Sequence, residues 1–458
     1  MVANSVVNAV GPSYHLADVK AACQSAINCY PQKLDGDSWM LASSPGEVQI
    51  ADLNYEIRGS KNVQGRWFVV AGNTLYEVTA AGTATARGTL SSATGFVGMD
   101  DNKTQLAIVD GPNLYVFTLG TNTLTTVSAS GWRGSDDVYE MDGYFIFVDP
   151  DTDQFYVSAI DDGTSLDALD FSSADSAPDN IVTHRVMHRQ LWLFGDISTE
   201  IWIDSGELAF PFTRYNSYTM DVGCVGKRAA INAADTLFWI GKTERGTGIV
   251  YMASGNQPQR VSTMAVEQAL AASTDISAAT MWTYQIEGHE FIAINAPGLS
   301  TTWVFDAAVQ QWHERAEWDA GWMPLRSMLV TAYAGEHFAG TADGKLVRLD
   351  ASVNNLAGRV LVRERTWPHL KKASMEPMSF FGLELSMNTG SGGFVTLEIS
   401  NDGGNTFGPK LLRSLGAIGR WMQKIRWLGL GSAYNRVFRI RCSDDVPFSI
   451  YDAAVDAR

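Results

Sequence analysis

The chain has 458 residues, 45% hydrophobic and 11% aromatic, with a formal net charge of −16. That length asks for more than one core, the apolar fraction argues against a disordered chain, and the negative charge argues against general affinity for nucleic-acid phosphates. No apolar run approaches the ~18 residues of a membrane-crossing helix, and MVANSVVNAVGPSYHL lacks the basic and apolar regions of a secretory leader, so no membrane insertion and synthesis in the cytoplasm are expected.

In chain order, residues 1–55 come first and fit no repeat. Asn28-Cys29-Tyr30-Pro31 and Ser44-Pro45-Gly46 read as extended chain and turns, so this part is predicted as an N-terminal arm packed on the rest of the molecule. Residues 56–350 carry a recurring hairpin. FVVAGNTLYEVT (68–79), AIVDGPNLYVFT (107–118), YFIFVDPDTDQFYVSA (144–159), LWLFGDISTEIWIDS (191–205), LFWIGKTERGTGIVYMA (237–253), FIAINAPGLSTTWVFDA (291–307) and HFAGTADGKLVRLD (337–350) follow at intervals of roughly 40–50 residues. In each, the first strand is apolar on both faces and must be covered on both sides. The turns hold Gly, Asn and Asp, which tolerate positive φ. Between hairpins there is chain for one or two more strands, which makes each unit a four-stranded blade of a β-propeller with six or seven blades. Ser262 and Thr263 precede MAVEQALAAS with Glu267 near capping-box spacing, predicting one short helix on the rim.

Residues 351–377 read as a linker and residues 378–458 as a β-sandwich, giving an all-β protein with a propeller, an added C-terminal sandwich and an extended arm. In the last strands Lys424 and Arg426 alternate with Ile425 and Trp427, and Arg439 and Arg441 with Phe438 and Ile440. Residues 1–350 hold 20 Lys+Arg against 41 Asp+Glu, whereas 351–458 hold 14 against 9. The four cations are therefore candidates for a docking surface toward an acidic neighbour, such as the acidic part of an adjacent copy, with a solvated face as the plain alternative. Reversing Arg439 and Arg441 is then expected to weaken assembly and leave folding intact.

SNDGGNTF places Ser400, Asp402, Gly404, Thr406 and Phe407 in an Asp-box, the turn motif carried in several copies by sialidases and related propellers. Its Asp and Thr satisfy turn amides and do no chemistry. Asp149, Asp151 and Asp153 alternate like calcium ligands but lack the Gly and distal Glu of that loop, and read as turn residues. His184 and His188 precede a strand, so their spacing implies no shared metal, and Cys23, Cys29, Cys224 and Cys442 form no Cys-x-x-Cys pair and read as buried thiols. No phosphate-binding loop or nucleophile elbow is present, and no catalytic, metal or cofactor residues are assigned.

Several runs carry a resemblance. TYQIEGHEFIAINAPGLSTTWVFDAAVQQWHERA (283–316), FWIGKTERGTGIVYMASGNQPQRVST (238–263), Asn28-Cys29-Tyr30-Pro31 with Pro45-Gly46, and RWLGLGSAYNRVFRIRCSD (426–444) resemble the tail hub or nozzle proteins of short-tailed phages (podoviruses), often called packaged DNA stabilization proteins. The resemblance implies a non-enzymatic virion protein, assembled in the host cytoplasm. Six copies would form a ring below the portal and its adaptor, or head-to-tail connector. That ring would close the conduit on packaged DNA and hold tailspikes or fibres and a tail needle. It would pass DNA through its lumen without specific binding. The alternative from the residues alone is a receptor- or glycan-binding, sialidase-like propeller.

Overall fold

The computed structural model describes residues 4–7, 9–207 and 209–458; residues 1–3 and 8 of the predicted arm lie outside the described residues. Seven antiparallel blades follow one another: residues 57–89, 98–126, 139–173, 181–220, 223–260, 280–315, and 327–350 completed by Gly46–Asp52. The innermost strand of each blade, Ala230–Ala233 in blade 5, lies beside that of the next, and Ser327–Tyr333 of blade 7 returns to Ile57–Val63 of blade 1, so the circle closes.

The recurring hairpins are strands 2 and 3 of each blade. Phe68–Ala71, Leu106–Val109, Phe145–Val148, Leu191–Phe194, Leu237–Ile240 and Phe291–Ile294 are all buried. These strands lie in the middle of their sheets, between two neighbouring blades, which is why both faces are apolar. The innermost strands are more polar. Lys61 of blade 1 binds Asp100 of blade 2 at 2.6 Å, Asp100 accepts from the Glu140 amide of blade 3 at 2.7 Å, and Arg185 of blade 4 donates to Ala230 O of blade 5 at 2.7 Å. Polar contacts between innermost strands thus tie blade 1 to 2, 2 to 3 and 4 to 5.

The predicted arm supplies strands to both bodies. Gly46–Asp52 pairs antiparallel with Lys345–Asp350 as the outermost strand of blade 7, so blade 7 is built from segments about 300 residues apart. Gly46 is required there, since a Cβ would stand 2.4 Å from Val353 O. Cys23–Ile27 lies beside the last strand of blade 6, with Ile27 opposite Glu314, and pairs on its other side with Arg363–Thr366. That strand lies within the predicted linker and pairs in turn with Val437–Cys442 of the sandwich. A single ten-stranded sheet therefore runs from blade 6 into the sandwich. Cys29–Lys33 and Trp39–Ser43 join the opposite sandwich sheet through Ser449–Ala457. The two sheets enclose Leu383, Leu385, Trp427, Val455, Leu397, Phe438 and Ile440.

The helix is Met264–Ala271, against Gly246–Ser254 of blade 5 and Tyr14–His15 of the arm. Thr263 makes no side-chain cap; instead Ser262 Oγ donates to Glu267 at 2.6 Å. All four cysteines are buried free thiols, and burial pushes Cys29 up to about 12.

Candidate functional site: the basic sandwich and its junction with the propeller

The four candidate cations fall on two different sheets. Ile425–Leu428 is an edge strand paired with Met378–Met387. Ile425 and Trp427 point into the core, while Arg426 and Leu428 face out. Lys424 and Arg426 reach Glu384 at 3.4 and 3.3 Å, but their side chains remain 79% and 58% exposed. Exposed pairs of this kind contribute at most about 1 kcal/mol, so both side chains are available to a partner.

Arg439 and Arg441 lie on the other sheet, in Val437–Cys442, and are largely covered. Arg439 is paired with Glu398 and lies under the Phe407 ring at 3.6 Å. Arg441 binds Glu364 at 2.5 Å and approaches Glu398 at 3.8 Å, with the Trp318 and Trp322 rings at 5.2 and 5.8 Å. Glu364 is 4% and Glu398 3% exposed. The register sets Glu398 opposite Arg439 and Glu364 opposite Arg441, so the charges form a ladder across three neighbouring strands. This ladder sits where the linker strand meets the sandwich, and it holds the junction from inside.

The Asp-box supports that ladder. Asp402 accepts from Thr406 N at 3.0 Å, from Thr406 Oγ1 at 2.6 Å and from Ser400 Oγ at 2.6 Å, while Gly404 N donates to Ser400 Oγ at 2.8 Å. The Ser400 and Thr406 hydrogen bonds hold the Asp402 carboxyl well below the usual carboxylate range. Gly404 has φ +93°, which a side chain would strain. The turn ends by placing Phe407 on Arg439.

Asp149 pairs with Arg133 at 3.4 Å, and no group of three or more metal-ligating side chains occurs among the described residues. His184 is buried with Nε2 at Ile146 O (3.0 Å), whereas His188 is exposed and lies 2.8 Å from Asp235. No helix among the described residues is long and apolar enough to cross a membrane.

Sequence reasoning missed three features. Arg365, 1% exposed, donates to the carbonyls of Ala9, Pro12 and Ser25 and clamps the arm. Ile418, Trp421 and Met422 stand exposed on one sandwich loop; the signal was three large apolar residues in the short, glycine-bearing run GAIGRWM. The third is His313, buried in blade 6 with neither ring nitrogen hydrogen-bonded, beside Tyr30 and Phe291.

Burial pushes His313 and His184 down to about 3. Below pH 6.5 the unfolded chain takes up these protons and the folded chain does not, so stability falls as pH falls toward 3. From pH 7 to pH 5 the loss is about 2 kcal/mol for each histidine. His15 is raised by Glu314 and opposes this trend, because its contribution is fully present below the ordinary histidine value. Urea denaturation of wild type and His313→Phe at both pH values isolates one share: the variant is expected to lose about 2 kcal/mol less on acidification. Equal losses would mean that His313 is not held neutral.

Comparison with known proteins bears on the whole of this architecture. Residues 26–350 match the family model described as bacteriophage P22 Gp10, beta-propeller, and residues 363–458 match that described as bacteriophage P22 Gp10, beta-sandwich. A propeller fused through shared sheet to such a sandwich is, on these matches, a structural protein of a phage tail. The chain belongs to the bacteriophage P22 Gp10 family. No curated protein matches it in sequence. Among solved structures it is similar to the N-terminal domain of Nup159, at 9% identity and TM-score 0.42 over 71% of this chain and 99% of that one. It is also similar to the WD40 β-propeller domain of Doa1, at 14% identity and TM-score 0.41 over 67% and 96%.

Proposed function

We propose that the protein is the tail hub, or nozzle, of a short-tailed phage: a ring of six copies below the portal and its adaptor. The ring closes the conduit on packaged DNA, anchors the tailspike or fibre and the tail needle, and passes DNA during ejection. It does so mechanically and without catalysis. The observation that carries this reading is the sheet running from blade 6 through the arm and linker strands into the sandwich. It joins propeller and sandwich into one stiff body, which suits a part that bears the pressure of packaged DNA. The acidic balance of residues 1–350 supports the same reading, because an acidic surface around the conduit repels phosphates and keeps DNA from sticking. Lys424 and Arg426 are the proposed docking cations; Arg439 and Arg441 serve the subunit's own junction.

Light scattering of the purified chain, alone and with the adaptor, tests the ring. The expected mass is that of six subunits. A stable monomer that binds or cleaves glycans would overturn the hub in favour of a receptor-binding propeller.

A further inference from the structure

We infer that the loop at residues 417–422 and an acidic cleft between blades 3 and 4 are the two halves of one contact between copies of this chain. The inference rests on the ring proposed above and names the surfaces that would close it.

The loop is an apolar knob held in shape. Ile418, Trp421 and Met422 are 88%, 66% and 94% exposed. Three such side chains on one loop are out of keeping with a free surface, where large apolar residues occur scattered singly. The loop is nonetheless braced. Thr389 Oγ1 donates to Trp421 O at 2.7 Å, Gly419 N to Gly390 O at 2.9 Å, and Arg420 N to Ala417 O at 2.9 Å. The indole lies so close to Gly390 that a Cβ there would stand 2.7 Å from the ring. A pre-shaped knob loses little conformational freedom on docking. Arg420 lies within the loop and Lys424 lines a groove with Trp421 and Met422; with Arg426 these exposed cations outnumber Glu384, which Lys424 and Arg426 share, giving an apolar centre beside a net basic strip.

The cleft has the opposite character. It encloses about 420 Å³, with buried Val148 and Ile181 among its lining and Asp136, Asp151, Asp179 and Asp196 around them. Asp136 is bound to Lys227 and Asp196 to Lys242 at 2.5 Å, so the unneutralised charge of the cleft lies on Asp151 and Asp179. Asp179 is fixed by Ile197 N at 2.8 Å and by Ser198 Oγ at 2.9 Å. The Asp151 carboxylate is exposed, with no partner among the described residues. An apolar lining among acidic side chains complements an apolar knob beside a basic strip.

Placement favours a second copy as the occupant. The sandwich joins the propeller at blades 6 and 7. Blade 3 is three blades from blade 6 one way round and three from blade 7 the other way. The two surfaces therefore lie on different parts of the subunit, the loop on the sandwich and the cleft on the propeller, as a contact between unlike patches repeated to closure requires. Trp is enriched among the hot-spot residues of such contacts and buries about 150–250 Å².

The test uses the 458-residue chain. Trp421→Ala/Met422→Ser removes the knob and Asp151→Lys spoils the cleft, both at exposed positions where circular dichroism and melting should match wild type. Each variant alone is expected to fall from rings to monomers, with association weakened at least 100-fold. Mixed in equal amounts they should form dimers and stop there, because only one knob and one cleft remain competent. Lys424→Glu combined with Asp151→Lys in one chain should recover rings that either change alone reduces. Rings of normal mass from the knob variant would overturn this contact and leave the ring standing. A monomeric wild type, alone and with the adaptor, would overturn the ring and the contact together. Binding of a different virion protein at the cleft, with rings unaffected by Asp151→Lys, would assign the cleft to that partner instead.

Discussion

Arg439→Glu/Arg441→Glu is expected to unfold the sandwich. Glu398 and Glu364 are buried and take their compensation from these two guanidinium groups. Removing one member of a buried pair costs about 3–5 kcal/mol, and reversal adds repulsion between carboxylates on adjacent strands. Two such losses approach the whole stability of a typical domain, about 5–15 kcal/mol. A melting point at least about 10 °C lower and rapid proteolysis around the linker strand are the expected readouts. Lys424→Glu/Arg426→Glu is the contrast, with stability unchanged within about 0.5 kcal/mol and only association affected. If the Arg439/Arg441 variant folds like wild type and fails only to assemble, these arginines serve a partner and not the junction.

Starting the chain at residue 54 is expected to abolish the monomeric fold. The truncation removes the outermost strand of blade 7 and leaves Lys345–Asp350 as a bare edge. It strips Ser327 of its 2.5 Å partner Glu47 and Arg315 of Pro45 O at 2.9 Å. It also deletes Cys23–Ile27, the strand between blade 6 and the linker, and leaves Arg365 buried without its three carbonyls. Each lost hydrogen bond to a buried charged group is worth about 1.5–3 kcal/mol, and a bare strand edge invites pairing between chains. Size-exclusion chromatography should show aggregates in place of a folded species. A milder probe is Gly46→Val, whose side chain meets carbonyl oxygens at 2.4 and 2.6 Å and should cost several kcal/mol. A truncated chain with wild-type melting would show that blade 7 closes without this strand.

The propeller was legible because its signal is local. FVVAGNTLYEVT states a doubly covered strand, a turn and a return within a dozen residues. Seven such units appear, and the structure turns them into seven blades. Segments whose partners are distant were not legible as strands. GEVQIAD reads as part of an arm because what makes it a strand lies at residues 345–350. RERT, Arg363–Thr366, reads as linker because three charged side chains in a row suggest solvent, yet all four residues are buried. Their compensation is supplied by Ala9, Pro12, Asp444 and Arg441, none of them near in sequence. Alternation at Arg439 and Arg441 was readable; the cover over them was not, because Phe407, Trp318 and Trp322 arrive from other segments.

The division of blade 7 between two distant segments has a consequence for the order of events during synthesis. Blades 1 to 6 can form as they leave the ribosome, since each is contiguous in the chain. The circle cannot be locked until residue 350 has emerged, and the strand at 23–27 gains its second neighbour only with residues 363–366. Early segments must wait, unpaired, for late ones, which makes the last step of folding the slow one. A prematurely terminated copy is therefore left open at both places, and nascent subunits become competent for the particle only once they are whole.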